Sequence, residues 1–299
     1  MDNLSHALET VRSTGNYKLL QRLAIDQHPG FSSIGATCQS PKICVCLDTE
    51  TTGFTHGKDK IIELGMISFL YDPDTFRIIN ILDRYNGLED PGEPLSQDVI
   101  NVTGITDEML AGQHLDDEKA MAMLSSANII IAHNAQFDRP FLEDRFPVCV
   151  QKAWACTMSQ IDWSSEYVTA RTLEYLLFKC GGWFIDAHRA LNDAEGLLAL
   201  LMSNLPFSGD EVFKILLEKA RTKDTRFFAI GAPFDKKDAM KERGYRWSDG
   251  KSNKPKCWWM DVADKQEETD WLSENIYPNG NLTNVQTIPV TAFTRFSAR

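Results

Sequence analysis

Two carboxylates, Asp48 and Glu50, directly follow the apolar segment at residues 42–47, with one residue between them. The composition of this segment predicts a buried strand. Residues i and i+2 of an extended chain point to the same face, so we expect the two carboxylates to lie side by side. Like charges at about 4 Å repel each other by roughly 1–4 kcal/mol, depending on the dielectric. A hard cation such as Mg²⁺ or Mn²⁺ would remove this repulsion, so the pair predicts a metal site.

Two later segments carry acids and a histidine that could join this pair. Residues 133–138, His-Asn-Ala-Gln-Phe-Asp, predict the end of a strand that turns into a helix and presents Asp138. Residues 188–194, His-Arg-Ala-Leu-Asn-Asp-Ala, predict a loop that enters a helix and presents His188 and Asp193. Taken singly, the two acids are also explained as helix N-terminal residues stabilised by the helix dipole, and the histidine as a surface loop residue.

The strands and helices that position these residues can be predicted from apolar periodicity and turn residues. Three apolar segments at residues 43–47, 60–70 and 77–85 are joined by short turns and predict an antiparallel meander. A short buried strand is predicted at residues 128–132. Helices are predicted at residues 97–102, 107–110, 117–124, 136–145, 172–180, 190–202 and 210–222. A meander followed by alternating helices and strands predicts a mixed α/β sheet with helices on its faces.

Composition limits the classes of protein to consider. The net charge of −11 argues against a general nucleic-acid coat protein, but it leaves open an enzyme whose acidic cleft is neutralised by bound metal. The seven cysteines are scattered and show no zinc-ligand spacing, which is typical of a reduced, cytoplasmic protein. No apolar run approaches 18 residues and the N-terminus has no signal core, so we expect neither a membrane span nor secretion.

Breaks in the pattern divide the chain into four parts. We expect a helical N-terminal arm at residues 1–40, a main domain at 41–208, a small module at 209–278 and a loosely ordered tail at 279–299. The module is basic, because residues 221–260 hold eleven Lys or Arg and five Asp or Glu.

The three segments with acids and histidines together resemble the DEDDh family of 3′-to-5′ exonucleases, which is named for four acids and a histidine. The chain is similar to the proofreading epsilon subunit of bacterial DNA polymerase III, a DnaQ-like enzyme. Residues 47–53, 133–138 and 188–194 match in type, order and spacing, and residues 101–106 resemble a further family segment. The resemblance covers residues 42–205 and implies an α/β fold, a ribonuclease H-like mixed sheet flanked by helices.

The resemblance also implies a role for each matched residue. Asp48 would bridge two divalent ions, Mg²⁺ or Mn²⁺, while Glu50 and Asp193 complete the shell of the first ion and Asp138 holds the second. His188 would be the general base, because the pKa of a histidine lies near working pH.

Three residues after the first acidic pair are predicted to contact substrate. Backbone amides near Thr51 and Gly53 could meet the terminal nucleotide, and Phe54 could stack on a base or insert between bases. The alternative for Phe54 is packing in the core.

These observations predict a metal-dependent 3′-to-5′ exonuclease that hydrolyses phosphodiester bonds. We expect it to act on single-stranded nucleic acid with a free 3′ end, to prefer DNA, and to release nucleoside 5′-monophosphates. Two alternatives stay open: an RNA-trimming exoribonuclease of the same fold and a non-catalytic nucleic-acid-binding scaffold. A polymerase or other protein partner and an oligomeric state are also left open.

The C-terminal module is predicted to have a small α+β fold. Strands are predicted at residues 226–230, 245–248 and 256–262, and helices at residues 235–243 and 265–276. Residues 231–247 resemble a small module appended to bacterial nucleases and DNA-processing proteins. Basic residues interleaved with Tyr245, Trp247, Trp258 and Trp259 suit binding of single-stranded nucleic acid. The alternative is that these aromatic residues form the core of a small domain.

Overall fold

The computed structural model describes residues 3–31, 38–250, 254–277 and 280–298, with side chains from residue 6 onward. Small parts of the predicted arm, module and tail therefore lie outside the described residues. The β-strands in the described ranges are β1 (Gln21–Arg22), β2 (Lys42–Thr51), β3 (Ile61–Tyr71), β4 (Ile78–Leu88), β5 (Ile129–Ala132), β6 (Ala153–Cys156), β7 (Trp183–Phe184), β8 (Asp224–Ala229), β9 (Arg246–Ser248), β10 (Cys257–Val262) and β11 (Val285–Val290).

Helices occur along the same ranges. The α-helices are α1 (Asn3–Ser13), α2 (Gln97–Thr103), α3 (Asp107–Leu110), α4 (Asp117–Ser126), α5 (Ala135–Arg145), α6 (Thr157–Gln160), α7 (Leu173–Gly181), α8 (Ala190–Leu201), α9 (Val212–Arg221), α10 (Lys237–Arg243) and α11 (Lys265–Asn275). Among them, none combines the length and the apolar character that crossing a membrane requires.

The main sheet has five strands in the order β4-β3-β2-β5-β6. β2 pairs antiparallel with β3, and β3 with β4, which confirms the predicted meander. β5 runs parallel to β2, and β6 runs parallel to β5. The strand β6 was not predicted, because its four residues carry no alternating pattern and it is paired with a strand more than twenty residues away.

Helices cover both faces of this sheet, as the pattern predicted. On β2, Cys44 and Cys46 point to the face covered by α7, α8 and α9. Val45 and Leu47 point to the opposite face, which α4 and α5 cover. Because side chains alternate along a strand, the residues that follow Leu47 on β2 point in turn to the same two groups of helices.

The start of α8 lies unusually close to the sheet. Gly65 of β3 pairs with Asp48 of β2, and a Cβ atom on Gly65 would lie 2.1 Å from the backbone carbonyl carbon of Ala190 and from the backbone nitrogen of Leu191. A side chain at position 65 would therefore push the helix away. Glycine lets the first turn of α8 sit directly beside the end of β2.

The described residues of the N-terminal arm are only partly helical. The whole arm, residues 1–40, was predicted to be helical, but Gln21–Arg22 form β1, which pairs parallel with β7 just before the segment that carries His188. Ile25 is buried in the core beside α8. Arg84 of β4 donates hydrogen bonds to Asp26 at 2.6 Å and to Glu195 of α8 at 2.8 Å. Pairing with β7 and these contacts outweigh the local helical spacing.

The C-terminal module is a four-stranded antiparallel sheet in the order β11-β8-β10-β9. Helices α10 and α11 pack on one of its faces. The preceding helix α9 instead buries Val212, Phe213 and Leu216 in the core of the main domain. We therefore propose that the boundary lies after Arg221 and not at residue 209.

The described residues of the tail, 280–298, are not loosely ordered, contrary to the prediction. The tail contributes β11 to the sheet of the module and then crosses back to the main domain. The fully buried guanidinium of Arg139 in α5 donates to the carbonyl oxygens of Phe293 and Arg295 at 2.7 Å each, and to Glu143 at 2.7 Å. Arg295 in turn donates to Asp224 at 2.7 Å, next to the start of β8. The tail thus joins the two domains through buried charges.

We predict that Arg139→Met lowers the free energy of unfolding by about 3–5 kcal/mol, because the buried carboxylate of Glu143 would lose the guanidinium charge that lies 2.7 Å from it. Urea denaturation measures this. Arg145→Met on the same helix is the control: its side chain is 36% exposed, and its ion partners Glu89 and Asp117 are 17% and 56% exposed, so we expect a loss of about 1 kcal/mol. Equal losses for the two variants would contradict the anchoring of the tail by Arg139.

Candidate active site

The two carboxylates of β2 face the helix α8. Asp48 and Glu50 follow Cys44 and Cys46 in alternation, so they point to the same side of the sheet. Asp193 lies in the first turn of α8. One carboxylate oxygen from each of Asp48, Glu50 and Asp193 can be chosen so that the three oxygens lie within 4.8 Å of one another. The structure thus brings together three acids that are up to 145 residues apart in the chain.

Asp138 is held on the other side of the same strand end. Its carboxylate accepts hydrogen bonds from the backbone N–H of Thr49 at 3.1 Å and from the Thr49 hydroxyl at 2.8 Å. Thr49 points to the face that α5 covers, so one strand contacts the acid of α8 on one side and the acid of α5 on the other. Asp138 is 1% exposed, whereas Asp48, Glu50 and Asp193 are half-buried.

His188 is exposed at the rim of the site. Its backbone has a φ of 62°, in the left-handed region that residues other than glycine rarely adopt. The next residue, Arg189, donates its backbone N–H to the Asp193 carboxylate at 3.2 Å. The loop that carries the histidine is therefore tied directly to the acid of α8.

An ion pair between Arg189 and a buried carboxylate fixes this loop to the sheet. Glu63 lies opposite Glu50 on β3 and is completely buried. Its carboxylate accepts from the Arg189 guanidinium at 2.9 and 3.2 Å and from the backbone N–H of Ala190 at 3.0 Å. A buried carboxylate needs such partners, and here they define where α8 begins.

The crowding of acids raises their pKa values. Burial, followed by the charges of Asp138 and Asp193, raises the pKa of Asp48 well above its usual range. Burial together with Asp193 and Glu63 raises the pKa of Glu50 to about 8. Burial raises the pKa of Asp138 to about 7, although the hydrogen bonds from Thr49 oppose the shift. Burial raises the pKa of Asp193 to about 6, with His188 acting in the opposite direction.

These raised pKa values provide a test of whether a metal fits. Four carboxylates that resist ionisation together form a donor set of oxygens, which is the ligand type that Mg²⁺ and Mn²⁺ prefer. A divalent cation among them would stabilise their charged forms. The donor set therefore fits the predicted cofactor.

The acids line a cleft of about 610 Å³. His188, Phe137 and the exposed Arg171 also line it. His133, another lining residue, has both ring nitrogens hydrogen bonded, to the Thr157 hydroxyl at 2.8 Å and to the Arg171 carbonyl at 2.7 Å. Its contacts are those of a structural residue.

The three predicted substrate contacts occupy different environments. Phe54 is 92% exposed and touches Phe137 edge-to-face, with ring centroids 6.2 Å apart, so it is not a core residue. Thr51 is buried, and its hydroxyl donates to the Gly53 carbonyl. A Cβ atom on Gly53 would lie 2.6 Å from the Asp59 carboxylate, so a larger residue here would displace that side chain. None of the three is among the residues that line the cleft of the acids.

Three residues that hold the acids and the His188 loop in place were not predicted: Thr49, Glu63 and Arg189. Glu63 could have been found, because it is an acid within an otherwise apolar strand, Ile61–Tyr71, and a buried acid needs a partner. Its partner Arg189 is 126 residues away, and no local pattern connects the two.

Comparison with known proteins supports the resemblance to exonucleases that the sequence motifs indicate. The family model described as Exonuclease (RNase_T) matches residues 45–201, more than half of the chain. DNA polymerase III PolC-type from Thermotoga maritima is 28% identical over 204 residues, which cover 64% of this chain and 14% of that protein. The same polymerase type from Listeria monocytogenes is 33% identical over 158 residues, covering 51% of this chain and 10% of that protein. The chain thus spans a small fraction of these relatives.

Solved exonuclease structures are similar to this chain, and that of ExoI shows the same fold. A zinc-bound complex of Escherichia coli ExoI with single-stranded DNA has a TM-score of 0.50 at 13% identity and covers 81% of this chain and 70% of that chain. Exonuclease X in complex with 5′-overhanging duplex DNA has a TM-score of 0.41 at 24% identity, covering 53% of this chain and 89% of that chain. The predicted α/β, ribonuclease H-like fold with an additional C-terminal module is confirmed.

The family match and the relatives agree with the motifs read from the sequence. The chain belongs to the exonuclease family, as a DEDDh (DnaQ-like) 3′-to-5′ exonuclease.

Proposed function

We propose that this exonuclease removes nucleotides from the 3′ ends of single-stranded DNA and releases nucleoside 5′-monophosphates. The observation that carries the proposal is the convergence of Asp48, Glu50 and Asp193 within 4.8 Å, in a cleft that Asp138 and His188 also line. The preference for DNA is supported by the similarity to DNA polymerase III PolC-type. A cytoplasmic location fits the cysteines of the described residues, all of which are free thiols.

The acids would hold two divalent ions, Mg²⁺ or Mn²⁺. Asp48 is central, because its carboxylate feels the charges of both Asp138 and Asp193, and it would be shared between the ions. Glu50 and Asp193 would complete one shell and Asp138 the other. Bound divalent ions supply positive charge, which offsets the negative charge that develops on the phosphate during hydrolysis.

His188 is proposed as the general base that accepts a proton from the attacking water. Three observations support this role: the imidazole is exposed, it lines the cleft, and its backbone is held at a φ of 62°. Strained backbone of this kind is often found at functional sites, where the surrounding structure holds it in place. Here the neighbouring Arg189, bound to buried Glu63, would hold it.

The terminal nucleotide is proposed to lie between the acids and Phe54. Phe54 extends from the turn after β2 and has most of its ring available for a base. Thr51 and Gly53 shape that turn, and their backbone amides are proposed contacts for the sugar and phosphate.

We predict that the enzyme shortens a 5′-labelled single-stranded DNA with Mg²⁺ or Mn²⁺, and that EDTA or Asp48→Asn abolishes this activity. Gel electrophoresis of the labelled products gives the rate and the direction of cleavage. Asp98→Asn, which changes an exposed acid on α2, is the matched control and should retain the wild-type rate. Undiminished shortening in EDTA would refute the metal assignment, and a matching RNA substrate tests the preference for DNA.

Asp48→Asn should also change the pH dependence of the stability of the folded protein. A carboxyl whose pKa is raised by folding stabilises the folded state below its unfolded pKa, and this contribution is lost as pH rises through the folded pKa. With Glu50 at about 8, Asp138 at about 7 and Asp193 at about 6, the metal-free protein should lose stability from about pH 4 to about pH 8. Asp48→Asn removes one carboxyl whose pKa is raised by folding, so its melting temperature should fall less over this range. Parallel curves for the two proteins in EDTA would contradict the proposed repulsion.

We predict that His188→Ala lowers turnover by about 10²–10⁴-fold, the usual range for the loss of a general base. His188→Gly should lose as much, because it removes the imidazole and accepts the positive φ without strain. His114→Ala, at an exposed histidine on another surface, is the control. The rise in melting temperature on adding Mn²⁺ should survive in both His188 variants. If that rise disappears, His188 is a metal ligand and not a base.

A further inference from the structure

One face of the C-terminal sheet carries a cluster of cations. The cluster lies on the face that α10 and α11 leave uncovered. The face that these helices cover carries Phe227, Ala229 and Trp258. Trp259, on the opposite face, is 5% exposed and lies beneath three cations. Charged groups of three side chains lie near its ring centroid: Arg246 at 4.1 Å, Arg226 at 4.8 Å and Lys254 at 4.9 Å.

Acidic groups only partly compensate this cluster. Arg226 donates to both oxygens of Asp261, at 2.6 and 2.8 Å. In the described parts of the chain, no carboxylate oxygen lies within 4.0 Å of Arg246 or Lys254. Burial, and then the charges of Arg226 and Arg246, lower the pKa of Lys254. Cations that are crowded in this way are stabilised by an anion.

The cluster lies next to the active site. Arg246 is on β9, the edge strand of the module, and its guanidinium is 3.5 Å from the Gln136 side-chain oxygen. Gln136 is in the first turn of α5, beside Phe137, which lines the cleft, and two residues before Asp138. A strand leaving the cleft past Phe137 would therefore meet Arg246 first.

We propose that Arg246 and Lys254 bind backbone phosphates of the substrate strand upstream of its 3′ end. Arg226, which lies on the same Trp259 ring, adds to the positive charge of this site. This inference rests on the proposed function, because it names where the rest of that strand lies. The aromatic ring does not stack on a base, since it is buried under the cations. It instead holds two guanidinium groups and an ammonium group in position. The recognition is electrostatic and independent of sequence.

Point variants test this more cleanly than truncation, because the tail and α9 are packed into the main domain. The test variant is Arg246→Ala/Lys254→Ala. The matched control is Lys241→Ala/Lys265→Ala, which removes the same charge from exposed positions on α10 and α11, the helices on the other face of the sheet. Thermal melting checks that all proteins are folded. Fluorescence anisotropy in EDTA gives the Kd of a labelled oligothymidylate of about twenty nucleotides at several NaCl concentrations.

The test variant should bind about tenfold more weakly than wild type at about 100 mM NaCl, because two phosphate contacts are lost. Its slope of log Kd against log salt should be shallower by about 1.4, at about 0.7 for each contact with a single strand. The control should match wild type in both quantities. Equal slopes for the test variant and wild type would overturn the phosphate site. A wild-type protein that binds the oligonucleotide but never shortens it with Mg²⁺ would instead refute the proposed function and leave the binding site standing.

Discussion

Mutual repulsion between carboxylates at one end of the main sheet is the constraint on which the rest of this structure depends. Carboxylate oxygens of Asp48, Glu50 and Asp193 lie within 4.8 Å of one another. The charge of Asp138 raises the pKa of Asp48 further. Such a group is unfavourable without compensating charge, so other parts of the fold must hold it together. The cost is accepted where a metal-dependent reaction needs oxygen ligands already in place.

The compensation comes from contacts behind the acids. Gly65 allows the first turn of α8 to rest on the sheet beside Asp48, and buried Glu63 fixes that turn through Arg189. On the other side of the strand, Thr49 holds Asp138 in place by donating hydrogen bonds to its carboxylate. Each acid is thus anchored to β2 or β3, the central part of the sheet, and not to a loop alone. The geometry of the site is set before any ligand binds.

The sequence predicted what depends on local pattern and missed what depends on distant pairing. Alternation along β2 placed Asp48 and Glu50 on one face, and the acids of the two later segments fell at helix starts as expected. Arg139 gave no such signal, because the carbonyl groups that receive its hydrogen bonds are about 155 residues away in the tail. The strand β11 was missed for a related reason, since it is stable only as a partner of β8.

Calorimetric titration of the metal-free protein with Mn²⁺ tests the central claim that the acids form a metal site. The titration is done near neutral pH in two buffers with different heats of ionisation. We predict saturable binding with a heat that depends on the buffer, because the ion displaces protons from carboxyls such as Glu50, whose pKa is about 8, and Asp138, whose pKa is about 7. The absence of saturable binding would contradict the account, and binding without proton release would show that the acids are already ionised.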